Sequence, residues 1–178
     1  VVNQFRRNNR PTFLDRLWAV ISFLKYRKHS SVFFELGSYL YRHHKDVNVG
    51  NNVYFKRNSI VGCANKDSSI SIGKNTTIGF NSVIISSDRI KIGSDCMIAP
   101  NVYMGDSNHG MSSGLPFNQQ ENVVSAIVIE DNVWIGAHSV ILPGVKIVTG
   151  SIIGANSTVT SSILEQGVYV GSPARRIK

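Results

Sequence analysis

The sequence predicts an all-β fold, a left-handed parallel β-helix, on three observations. The first is a period of six: over residues 127–164 an isoleucine or valine returns at Ile129, Ile135, Ile141, Ile147, Ile153 and Val159. The second is a small or β-branched side chain four residues after most of these, at Val133, Ser139, Val145, Ser151 and Ser157. The third is a glycine directly after two of the isoleucines, Gly136 and Gly154. An amphipathic helix repeats at three and four residues and a strand at two. A period of six fits neither, but it fits a coil of three short flat faces joined by tight corners.

In chain order, residues 1–10 are polar and basic. Thr12, with Asp15 three residues on, is a plausible helix start. Phe13, Leu17, Val20, Ile21 and Leu24 then recur at helical spacing as far as Lys28, and a second short helix is expected over 31–43 with Phe34, Leu36, Tyr39 and Leu40 inward. Residues 1–46 thus read as a basic helical arm and 47–178 as the solenoid domain with its C-terminal tail. The repeat opens with Val49, Phe55 and Val61, with Val53 and Ser59 at the small inward positions. Residues 63–69 break it as a loop, and Ile72, Ile78, Ile84 and Ile90 resume it. At Ile90–Ile92 the phase slips by two, then continues through Ile98 and Met104. Residues 105–126 lack the period and are rich in Gly, Ser and Asn. A long aperiodic insertion gives a solenoid core nothing and is commonly functional. The final coils run to Leu164, and the tail from Gly171 to Lys178 is expected to leave the helix.

The net charge is +8, and nine of the 19 basic residues fall in 1–45 against only Asp15 and Glu35. The arm is therefore basic and the repeat body nearly neutral. An apolar stripe with a basic rim suits a cap over the open end of the solenoid. It equally suits peripheral contact with an anionic membrane surface. No run approaches the ~20 apolar residues of a spanning helix, and no signal peptide is read, so a cytoplasmic protein, at most at the inner face of the membrane, is expected. Cys63 and Cys96 are too few for a disulfide framework or metal motif. Basic and aromatic residues are not interleaved as nucleic-acid binding requires, so no nucleic acid is expected.

Of the five histidines, His29, His43 and His44 lie in the arm and His138 at an outward position of a coil. His109 differs: it stands in Asp106-Ser107-Asn108-His109-Gly110, where the coil gives way to the long loop, with Asp106 or Asn108 available to orient it. That placement suits a general base working near neutrality. Trp134 precedes Ile135 and so points outward, where an indole needs cover from a neighbouring subunit or a ligand.

The runs Ile92–His109, Ile129–Gly144, Ile153–Ser157 and Gly171–Arg175 resemble the hexapeptide-repeat acyltransferases, most closely the sugar and polysaccharide O-acetyltransferases of capsule and lipopolysaccharide synthesis. The resemblance covers 47–178. It implies an acetyl-CoA-dependent O-acetyltransferase in which His109 deprotonates an acceptor hydroxyl of a sugar or polysaccharide, which attacks the thioester directly. It implies that Trp134 stands beside the histidine, and that the enzyme is a homotrimer with sites between solenoids. It places the pantetheine of CoA along Gly136, Ala137, Gly154 and Ala155, and its phosphates near Arg175, Arg176 and Lys178. No metal is implied. Simple sugar acetyltransferases carry an asparagine near the position of Gly79 and an aspartate near Ser87. Here Asn81 and Asp88 are out of register with these, which argues against a small free sugar.

Other readings make different demands. A zinc-dependent carbonic anhydrase of this fold needs three histidines in the repeat body, which holds only His109 and His138. A non-enzymatic scaffold predicts no CoA binding and no effect of replacing His109. A xenobiotic acetyltransferase, or an N-acetyltransferase acting on an amino sugar, would use the same machinery on another acceptor.

Overall fold

A computed structural model of the protein describes residues 13, 17, 31–42, 46–111 and 114–178. Its strands wind into a left-handed parallel β-helix with three flat faces, as the period of six demands. The first face stacks eight strands: Phe33–Phe34, Tyr54–Phe55, Thr77–Ile78, Met97–Ile98, Trp134–Ile135, Ile152–Ile153, Val168–Val170 and Arg175–Arg176. The second stacks six: Tyr39–Arg42, Ile60–Cys63, Val83–Ser86, Tyr103–Gly105, Val140–Ile141 and Thr158–Val159. The third stacks five: Val47–Val49, Ser69–Ile72, Arg89–Ile92, Ile127–Ile129 and Lys146–Ile147.

Each strand is too short to alternate more than once or twice, so one residue faces in and its neighbour faces out. Register then builds inward columns: Ile78, Ile98, Ile135 and Ile153 on the first face, Ile84, Met104, Ile141 and Val159 on the second, and Ile72, Ile92, Ile129 and Ile147 on the third. All are buried. The corners turn through the left-handed backbone region at Asn52, Asn58, Asn75, Asn81, Asp95, Asn101, Asn132, His138 and Asn156. Asparagine and aspartate tolerate that region best among residues with a side chain. His138 is exposed and holds one of these corners, its Nε2 3.3 Å from Asn101 Nδ2.

The structure corrects three expectations and bears out a fourth. The second helix over 31–43 is instead the first coil of the solenoid. Phe33–Phe34 pairs with Tyr54–Phe55, and Tyr39–Arg42 with Ile60–Cys63, so pairing starts upstream of Val47. Phe34 and Leu40 point inward as expected, but Leu36 sits at a corner and Tyr39 on the outer surface, both exposed. Phe34 stacks on Phe55 with ring centroids 4.5 Å apart. Secondly, the two-residue slip at Ile90 is borne out: Ile72 pairs with Ile92, twenty residues on instead of eighteen, and the strand Arg89–Ile92, like Ser69–Ile72, buries two inward residues. Thirdly, Cys63 and Ser69 belong to strands, leaving only 64–68 between them. Lastly, the tail stays on the solenoid: Arg175–Arg176 folds back antiparallel to Val168–Val170. Of the first expected helix only Phe13 and Leu17 are described; both are helical and exposed. The rest of it, with His29, His43 and His44, lies outside the described residues.

Small inward residues before each strand form columns of their own. One runs Thr76, Cys96, Val133, Ser151, linked by the backbone bonds Thr77 N to Cys96 O, Met97 N to Val133 O and Trp134 N to Ser151 O. Thr76 Oγ1 donates to Gly93 O, whereas the Ser151 hydroxyl is fully buried and finds no partner among the described residues. An orphaned hydroxyl costs about 1–3 kcal/mol, and valine already fills the neighbouring level of the column. Ser151→Val is therefore expected to raise the unfolding temperature, by the equivalent of ~1 kcal/mol. A lower temperature in thermal unfolding would mean that the hydroxyl is satisfied in solution.

Candidate functional site

His109 lies on a two-stranded antiparallel ribbon, Ser107–His109 with Asn122–Val124, that replaces the ordinary corner between the second and third faces. The register pairs Ser107 with Val124, Asn108 with Val123 and His109 with Asn122, and Gly110 N donates to Glu121 O beyond them. At its root Ser125 N donates to Asp106 O, and Gly144 N to Ser125 O. The excursion is thus a built ribbon rather than a slack loop. His109 and Asn108 are exposed on it, and so are Met111, Leu115, Phe117, Val123 and Val124.

Asp106 is wholly buried. Its Oδ2 accepts from Ser86 Oγ (2.6 Å) and Asp88 N (3.1 Å), and its Oδ1 accepts from Ser87 N (2.6 Å). Among the described residues no hydrogen bond joins it to the His109 ring, so within this chain it holds the root of the ribbon and not the imidazole.

Trp134 is outward on the first face with 47% of its surface exposed, between Met97 and Ile152. The His109 ribbon leaves from the opposite edge of the second face. One chain therefore does not bring the two together.

Gly136, Ala137, Gly154 and Ala155 form the corner between the first and second faces on two successive coils. The glycine at 136 has a reason inside the chain: a Cβ there would come within 2.6 Å of Ala155 N on the next coil. Gly154 is bounded on its far side by Val170, which pairs with Arg175. The corner and the basic tail are thus neighbours. Among the described residues nothing accepts from the N–H groups of Ala137 and Ala155, which leaves two donors along this corner.

The two arginines differ. Arg176 Nη1 bonds Glu165 Oε2 at 2.8 Å and its Nη2 bonds Gln166 O at 3.2 Å. Among the described residues Arg175 reaches only the carbonyl of Ala174, its own neighbour. Lys178 is exposed, and its carbonyl accepts from Val168 N. Cys63 and Cys96 are buried, and burial pushes both thiols up, so neither is a ready nucleophile. Among the described residues no cluster of three or more His, Cys, Asp or Glu could hold a metal ion, and no helix is long and apolar enough to cross a membrane.

Two family models match the solenoid: the bacterial transferase hexapeptide (six repeats) over residues 126–161, and the hexapeptide repeat of succinyl-transferase over 69–105. Among solved structures, a hexapeptide-repeat-containing acetyltransferase from Vibrio cholerae is 30% identical, over 74% of this chain and 72% of its own, with a TM-score of 0.64. The chain belongs to the hexapeptide-repeat acyltransferases. A variant of the N-acyltransferase AntD from Bacillus cereus, in complex with dTDP-4-amino-4,6-dideoxyglucose and coenzyme A, is 25% identical over 84% of this chain and 81% of its own, with a TM-score of 0.74. A maltose O-acetyltransferase from Clostridium difficile is 25% identical over 92% and 85%, with a TM-score of 0.56. No curated protein matches the chain.

In this acyltransferase the sequence signals for His109 and for the ribbon's position were strong, because both stand where the period stops. The partners of Asp106 were not foreseen. Ser86, Ser87 and Asp88 lie about one coil earlier, and only the β-helical register places them beneath the ribbon.

Proposed function

We propose that this protein transfers an acetyl group from acetyl-CoA to the amino group of a sugar carried on a nucleotide, with His109 as the general base. The supporting observation is the likeness to AntD, which extends over most of both chains and belongs to an enzyme solved with coenzyme A and a nucleotide-linked amino sugar. In the proposed reaction the acceptor nitrogen attacks the thioester carbon and a tetrahedral intermediate forms. His109 removes the proton from nitrogen, the C–S bond breaks, and the thiolate leaves as CoA and takes up a proton. The intermediate's oxyanion needs N–H donors aimed at it. The residues present fit the cofactor: free N–H groups at Ala137 and Ala155 suit the amide-bearing pantetheine, and Arg175 on the adjoining tail suits a phosphate.

The site is proposed to be shared between copies in a homotrimer. Outward residues are mostly apolar on the first face (Phe33, Tyr54, Met97 and Trp134, with Thr77 among them) and include Tyr39 and Tyr103 on the second, while the third is mostly polar, with Asn48, Ser71, Lys91 and Lys146 beside Val128. Setting the first face of one copy towards the second face of the next covers the apolar surfaces. It also carries the His109 ribbon of one copy towards Trp134 of its neighbour, and three such contacts close a ring.

A second reading, O-acetylation of a hydroxyl on a polysaccharide sugar or its precursor, is favoured by the likeness to the maltose enzyme and by the motifs around His109, Trp134 and Gly171–Arg175. Release of free CoA thiol decides between them when dTDP-4-amino-4,6-dideoxyglucose, its 4-hydroxy counterpart and a panel of polysaccharides are offered in parallel. Release with the amine alone supports the first reading. Release only with hydroxyl acceptors overturns it in favour of the second, and acetyl-CoA failing to bind at all overturns both.

Arg175 and Arg176 should separate kinetically. Arg175→Ala is expected to raise KM for acetyl-CoA about tenfold, the equivalent of one charge-assisted hydrogen bond. Arg176→Ala should act mainly by loosening the tail from Glu165. Equal KM values for wild type and Arg175→Ala would remove the tail from the cofactor site.

A further inference from the structure

Asp106 is a fully buried carboxylate that no hydrogen bond among the described residues joins to His109. Taking a carboxylate out of water costs several kcal/mol unless its oxygens are fully engaged. Here the engagement is complete and local: Ser86 Oγ, Ser87 N and Asp88 N, all on one turn of the preceding coil, converge on its two oxygens. In the same register column Cys63 pairs with Ser86, and Ser86 bonds Asp106.

The ribbon's other ties to the solenoid at the root are backbone and hydroxyl bonds. Ser87 Oγ donates to Ser107 Oγ (3.1 Å), Ser125 N donates to the carbonyl of Asp106 itself, and Ser125 O accepts from Gly144 N. Asp106 therefore grips the solenoid through its side chain and the returning strand through its backbone. His109 is three residues further out, so its location follows from the angle at which residues 106–107 leave the coil. A tilt at the root is magnified at the imidazole, and a misplacement of about 1 Å can cost ~10²-fold in rate.

We propose that Asp106 is a positioning residue for transfer: a buried carboxylate latch, closed by Ser86, Ser87 and Asp88, that aims the His109 ribbon without touching the imidazole. This rests on His109 being the base. Asp106→Asn keeps the shape but presents an N–H₂ where Oδ2 now accepts from Asp88 N, so it opens one side of the latch. In Ser87→Ala the carboxylate stays and only the hydroxyl pair with Ser107 is lost.

The test combines a kinetic cycle with a readout that needs no acceptor. Turnover is followed with acetyl-CoA and dTDP-4-amino-4,6-dideoxyglucose as the acceptor probe for wild type, Asp106→Asn, His109→Ala and the double variant. Asp106→Asn is expected to lower kcat by ~10–10²-fold, with KM for acetyl-CoA within about twofold, and to cause no further loss in the His109→Ala background. Limited proteolysis between 110 and 120 should quicken several-fold in Asp106→Asn and less in Ser87→Ala, with thermal unfolding of the solenoid nearly unchanged. Wild-type kcat with a wild-type cleavage rate overturns the latch. So does an equal fractional loss in both backgrounds, which marks a general structural role. Should His109→Ala turn over normally, the base assignment falls by itself, and the proteolysis rate alone then decides whether the latch exists.

Discussion

Replacing His109 by alanine is expected to abolish most acetyl transfer, by about 10²–10⁴-fold in kcat, while acetyl-CoA binding and the unfolding temperature stay close to wild type. The asymmetry follows from where the residue sits. His109 is exposed on a two-stranded ribbon outside the coil, so its ring contributes no buried area to the solenoid. The groups that fit the cofactor, Ala137, Ala155 and Arg175, lie at a different corner and on the C-terminal tail. A base that acts only in the transition state lowers kcat and kcat/KM together and leaves donor affinity alone. The measurements are CoA thiol release at saturating acetyl-CoA, isothermal titration of the donor, and thermal unfolding. Turnover at the wild-type rate in His109→Ala would end the mechanism. A matched loss of donor binding would instead put the histidine in the cofactor site. With an amine acceptor the residual rate should also climb with pH, because a deprotonated nitrogen needs less help from a base.

What the sequence made legible, and what it hid, divides along a physical line. Periodicity reports burial, so the inward columns from Ile72 to Val159 could be read directly, and so could the outward placing of Trp134 beside Ile135. The first coil was hidden because it offers too few residues to show a period: Phe34, Leu36, Tyr39 and Leu40 also satisfy helical spacing, and strands of two to four residues give alternation no room. The slip of two at Ile90 was legible because it breaks the period; the pairing of Ile90 with Ile70 in a second inward column of the third face was not. At the candidate site His109 stood out because it interrupts a pattern. Asp106 could be picked out only as a neighbour, since its three donors come from residues 86–88 and become adjacent only when coils stack. Gly136 was read for ligand approach, whereas the next coil 2.6 Å from its would-be Cβ already requires it.

Trp134 and Ile135 are adjacent, and their alanine variants are expected to fail in opposite ways. Ile135 is wholly buried between Ile98 and Ile153 in the first-face column. A β-helix stacks each coil on the one before, so a cavity at one level cannot be closed by sliding a neighbouring layer. Ile135→Ala is therefore expected to cost about 2–5 kcal/mol, and the loss should appear in chemical denaturation of the folded chain. Trp134 is half exposed, and its removal leaves no cavity inside the coil. Trp134→Ala should leave the stability of the isolated solenoid within about 0.5 kcal/mol. If the proposed trimer holds, its effect should fall on what covers the indole, as a weaker trimer in sedimentation and a lower kcat, because in that arrangement the neighbouring copy's His109 ribbon loses the surface it meets. A strongly destabilised Trp134→Ala chain would mean that the indole packs within its own coil. An intact trimer with full turnover would remove Trp134 from both the interface and the site. The two variants together thus separate the coil's own stability from what assembly adds, at positions one residue apart.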